Sequence, residues 1–78
     1  MLKSNCMYND KELLKQLGRN IKAERVRKGY TQEFFAEKLG VTREYVSRIE
    51  RGQENMSILK ILNLSNCLET EITNLLRF

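Results

Sequence analysis

Arg43 and Arg48 are the side chains in this sequence best suited to recognition chemistry. A guanidinium presents its N–H donors as a rigid planar fork, which matches paired acceptors such as O6 and N7 of guanine. Between and beyond these two arginines, Val46 and Ile49 recur at the spacing of one helix face. A helix that turns Val46 and Ile49 inward sets Arg43, Glu44, Ser47 and Arg48 together on the opposite side. Glu44 is suited either to accept from cytosine or, four residues before Arg48, to hold that guanidinium in place.

The groups that usually carry catalysis are missing. The sequence has no histidine, no phosphate-cradling glycine loop and no nucleophile in a recognisable setting, and its carboxylates are dispersed. Glu33 and Glu37 share a helix face and read as a solvated acidic surface rather than a cation site. Cys6 and Cys67 lack zinc-type spacing. Both are expected as reduced thiols, with Cys67 serving as a small buried hydrophobe inside a helical pattern. Neither enzymatic activity nor a metal or cofactor is expected.

The stretch that would display the arginines runs from Thr31 to Gly52, TQEFFAEKLGVTREYVSRIERG. Phe34, Phe35, Leu39, Val46 and Ile49 recur at helical spacing, Gly40 interrupts them, and Val41 follows as a buried plug. Thr31 and Thr42 each precede an apolar run, where a hydroxyl can accept from an unpaired amide of the first turn. Glu33 and Glu44 suit the positive ends of the two helices, and Gly40 sits where a left-handed residue must end the first. Ala36 is small enough for close approach between them.

Gln32, Ala36, Gly40, Val41, Val46 and Ile49 fall at the spacing of a helix-turn-helix motif, and the run resembles the phage repressor and Cro (XRE) family over about residues 17 to 76. The resemblance implies an all-α, five-helix repressor-like domain that reads double-stranded DNA and regulates transcription. In that fold the helix from Thr42 to Arg51 lies in the major groove while the preceding one crosses the backbone. Arg43, Glu44, Ser47 and Arg48 then face base edges. Thr31, Gln32, Thr42, Arg51 and Asn55 are placed for the sugar-phosphate backbone, with Lys22 or Lys28 as a further contact. Tyr45 stays open among a thymine methyl, a phosphate, and packing on the first motif helix. The resemblance also implies an ion pair between Arg25 and Glu50, and a homodimeric repressor or autoregulatory controller on a palindromic operator. An antitoxin or adaptor that binds protein is the competing function, and it would more often expose apolar residues where Arg43 and Arg48 stand.

The composition agrees with one helical domain. The chain has 78 residues, 41% of them hydrophobic and 31% charged, which is too mixed for disorder and too short for a second domain. Within the net charge of +4, residues 11 to 30 hold seven Lys or Arg against Glu12 and Glu24, an excess of 7 − 2 = 5 that suits a polyanionic partner. No apolar run approaches the roughly 20 residues of a membrane span and no signal-peptide pattern appears, so a cytoplasmic protein away from membranes is expected. No small-molecule pocket is expected either.

Residues 1–8 read as a tail, whose Met1, Leu2, Met7 and Tyr8 either dock or fray, and residues 9–78 as the domain. Asn9 and Glu12 resemble a capping box that opens a first helix to about Lys28. Its stripe is Leu13, Leu14, Leu17, Ile21 and Val26, and Gly18 allows close packing. Gly29 ends it, and Gly52 ends the recognition helix. Ser57 caps a fourth helix with a broad face of Ile58, Leu59, Ile61, Leu62, Leu64 and Leu68. Met56 stands where the family often has proline. A last helix spans about Glu71 to Leu76, and Leu75, Leu76 and Phe78 suggest a C-terminal dimer contact.

Overall fold

In the computed structural model, which describes residues 9–78, five helices follow one another: α1 (Asp10–Arg27), α2 (Gln32–Leu39), α3 (Arg43–Glu50), α4 (Ile58–Cys67) and α5 (Ile72–Leu75). The tail of residues 1–8 and the thiol of Cys6 lie outside the described residues. Each of the first four helices starts on a side-chain cap. Asn9 accepts from the amide of Glu12 at 2.8 Å, Thr31 from Phe34 at 3.0 Å, Thr42 from Tyr45 at 3.1 Å and Ser57 from Lys60 at 3.1 Å. Such a cap stabilises a helix by about 1 kcal/mol.

The same four helices end alike. Two amides just past each helix bond back to carbonyls of its last turn, as in Gly52 N–H to Ile49 and Gln53 N–H to Arg48. This closure needs one left-handed residue. Gly40 (φ 76°) and Gly52 (φ 75°) supply it around α3, and Glu69 (φ 55°) occupies the equivalent place after α4.

Leu17 and Ile21 of α1, Phe35 and Ala36 of α2, Val46 and Ile49 of α3, Ile61, Leu64 and Leu68 from α4 and its cap, and Leu75 of α5 form the buried core. Full burial of a side chain of this size stabilises a fold by about 1.5–3 kcal/mol. The core is narrower than the apolar pattern suggests. Val26 is exposed because it lies nine residues, half a turn in projection, from Leu17, and Leu13 at the first turns is also exposed. Phe34 is 45% exposed and stands edge-on against Tyr30, since α2 turns its neighbour Phe35 inward instead. On α4, Ile61, Leu64 and Leu68 recur on one face, whereas Ile58, Leu59 and Leu62 point to solvent. Cys67 is only half buried, its Sγ 3.9 Å from the carbonyl of Lys38. No helix of the described residues is long and apolar enough to cross a membrane.

Candidate nucleic-acid interface

Helix α3 is held from behind and open in front. Val46, Ile49 and Glu50 are buried, while Arg43 and Glu44 are exposed and Ser47 and Arg48 half exposed. With Arg51 these four line an open recess of about 350 Å³. Three guanidinium groups and one carboxylate make that surface cationic, which favours a polyanion.

The two arginines are held differently. Arg43 donates from Nη1 to Oε1 of Gln32 at 3.2 Å, and Gln32 donates from Nε2 to Oε1 of Glu50 at 3.0 Å. Glu50 in turn receives Arg25, Nε at 2.7 Å and Nη2 at 3.2 Å, and Arg25 caps the carbonyl of Tyr30 through Nη1 at 2.7 Å. The outward arginine is thereby connected through one amide to a buried ion pair. Arg48 donates from Nε to Glu54 at 2.7 Å, and its Cζ lies 5.6 Å from the centre of the Tyr45 ring. The acid that holds Arg48 is Glu54, not Glu44, because the turn at Gly52 brings the following loop back beside α3.

A helix-turn-helix family model matches residues 21–75, from the middle of α1 through α5. The chain belongs to the helix-turn-helix family. It is 42% identical over 60 residues to the HTH-type transcriptional regulator SlrR of Bacillus subtilis (strain 168), covering 76% of this chain and 40% of that protein. To the HTH-type transcriptional regulator SinR of the same organism it is 41% identical over 61 residues, covering 77% and 55%. The chain thus spans about half the length of these two relatives. Among solved structures, the restriction-modification controller protein C.AhdI from Aeromonas hydrophila superimposes with a TM-score of 0.73 at 39% identity, over 80% of this chain and 94% of that one.

The Thr31 and Thr42 hydroxyl oxygens accept cap bonds and retain a proton to donate outward. Gln32 is the first residue of α2, where amides have no helical partner, yet both ends of its side chain are already engaged. Tyr45 is half buried against the core, with Lys60 Nζ 5.2 Å from its ring centre, so its ring does packing work. Arg51 donates to Ser47 Oγ and, through Nε and Nη2, to Gln53 at 3.2 Å, and it lines the recess beside Arg43, Glu44, Ser47 and Arg48. Asn55 is exposed in the loop after α3.

The basic stretch of α1 is less available than its charges suggest. Arg25 is buried against Glu50, Arg27 pairs with Glu24, and Lys28 pairs with Glu69 at 2.6 Å. The hydrogen bond with Glu69 raises the Lys28 pKa, and the same bond lowers that of Glu69. Sequence reasoning missed Glu54 because a loop acid carries no periodic signal. It also missed Gln32 as a link, although Gln32 and Arg43 both open helices of one tight motif.

Proposed function

We propose that this helix-turn-helix chain is a sequence-specific DNA-binding regulator of transcription, a repressor or autoregulatory controller without enzymatic activity, acting in the cytoplasm. The observation that carries the reading is the front of α3, where Arg43, Glu44, Ser47, Arg48 and Arg51 surround an open recess on a helix whose back is locked in the core. The likeness to proteins named transcriptional regulators and to a restriction-modification controller supports it. Arg43 and Arg48 offer forks to guanine, with Glu44 and Ser47 beside them. Thr31, Gln32, Thr42, Arg51, Asn55 and the Tyr45 hydroxyl hold the backbone. Exposed guanidinium groups on α3, where an antitoxin or adaptor would more often present apolar side chains, favour DNA over a protein partner there.

A homodimer on a palindromic operator completes the reading, with half-sites about 34 Å apart. Of the C-terminal contact expected from Leu75, Leu76 and Phe78, Phe78 stays 44% exposed, while Leu75 is wholly buried in its own core and Leu76 half buried. The uncharged face of Ile58, Leu59 and Leu62 on α4 is the better surface, since a two-fold contact sets a patch against itself and like charges would repel. Selection of bound duplexes from a random library tests both parts. The expected product is a pair of inverted half-sites, and sedimentation is expected to show a dimer that Leu59→Glu dissociates. Failure to enrich any sequence would overturn the DNA reading, and a monomer on the selected duplex would overturn the dimer.

A further inference from the structure

We propose that Glu54 is a specificity-determining positioning residue that sets Arg48 to read one guanine. Its carboxylate takes Arg48 Nε at 2.7 Å, while the Tyr45 ring lies 5.6 Å from Cζ. A hydrogen bond in the guanidinium plane and an aromatic ring beside it restrict both the direction and the tilt of the group. Nη1 and Nη2 then have no hydrogen-bond partner among the described residues, and the Arg48 side chain keeps 43% of its accessible surface. With Nε occupied, the pair left to bind is the end-on one. Two parallel N–H groups of that kind match O6 and N7 of guanine and no other base edge in the major groove.

Glu54 comes from a loop, and the loop is well fixed. Gly52 reverses the chain, Gln53 N–H bonds to the carbonyl of Arg48 at 2.9 Å, and Glu54 follows one residue later with only 25% of its side chain exposed. The acid stands beside a cationic recess that would enter the field of a polyanion, so its charge opposes non-specific binding. Glu54 therefore acts with opposite sign on two quantities. It weakens attraction to any duplex and strengthens discrimination among duplexes.

The inference rests on the DNA reading above, and the experiment separates the two. Wild type and Glu54→Ala, Glu54→Gln, Arg48→Ala and the Glu54→Ala/Arg48→Ala double variant are titrated with the wild-type-selected duplex and with a random duplex of equal length. For Glu54→Ala, affinity for random duplex is expected to rise two- to threefold while the selected-to-random ratio falls about tenfold. Glu54→Gln, which keeps an acceptor, is expected to recover part of that ratio. In the Arg48→Ala background the ratio is expected not to fall further. Without DNA, the Arg48 Nε–Hε signal in ¹H–¹⁵N spectra is expected to be shifted and slow to exchange in wild type and averaged in Glu54→Ala. Equal gains on both duplexes, or an unchanged ratio with an averaged signal, would overturn the positioning role alone. If wild type selects no sequence, the DNA reading falls and this role with it.

Discussion

A methyl group added to Gly18 would lie 2.6 Å from the carbonyl oxygen of Glu50, so α1 and the end of α3 meet backbone to backbone. Gly52 mirrors the contact from the other side, 2.8 Å from the Lys15 backbone by the same measure. Helix α3 and its C-terminal turn are thus seated on α1 through main-chain contacts that leave no room for a side chain at Gly18 or Gly52. Gly18→Ala gains about 1 kcal/mol of helix propensity but forces two main chains apart. Overpacking of that kind costs about 1–3 kcal/mol or more, and a net drop in melting temperature of several degrees is expected. A variant that melts with or above the parent would mean the crossing is looser than described.

Removing Glu50 leaves Arg25, a residue only 8% exposed, with no counter-charge. Loss of one partner of a buried pair costs about 3–5 kcal/mol, so Glu50→Ala is expected to approach the whole stability of a domain this small. Urea denaturation measures it directly. The folded fraction is expected to keep its base preference better than its stability, and a denaturation midpoint equal to wild type would refute the assignment.

Arg43 and Arg51 are expected to fail in different ways. Arg43→Ala should lose about 1–3 kcal/mol on the selected duplex and relax preference at one base pair. Arg51→Ala should weaken all duplexes alike and reduce the slope of log affinity against log salt by about one. Equal losses for Arg43→Ala on selected and random duplex would remove its role in reading bases.

Glu69 combines a left-handed backbone with an exposed ion pair to Lys28. Its lowered pKa means the pair stabilises the fold above the ordinary carboxylate value of 4.5 and is lost as pH falls below it. The raised pKa of Lys28 means the contribution is complete below 10.5 and fades at still higher pH. An exposed pair contributes little, while the left-handed region is strained for any side chain, so Glu69→Gly is expected to melt above wild type. Its advantage should widen at pH 3 and in high salt, where wild type loses the pair as well. An advantage that is flat from pH 3 to 7 would show that the pair contributes nothing.

Much of this architecture is local. Asn9, Thr31, Thr42 and Ser57 start their helices through bonds spanning three residues, and Gly40 and Gly52 end theirs through bonds spanning a single turn. Such signals are complete within a short stretch, so helix order, the motif and the outward set on α3 were legible from residue types and spacing. Which apolar residues are covered is a different kind of fact. Phe34 and Phe35 are equally apolar, and so are Leu62 and Leu64 two residues apart, yet only the packing of α2 and α4 leaves one of each pair outside. The partners of the arginines belong to the same class: Glu44 and Glu54 both lie within reach of Arg48 along the chain, and the reversal at Gly52 selects the second. Local bonding sets where a helix begins and stops, whereas burial and charge pairing depend on which surfaces remain when all five helices have been placed against each other.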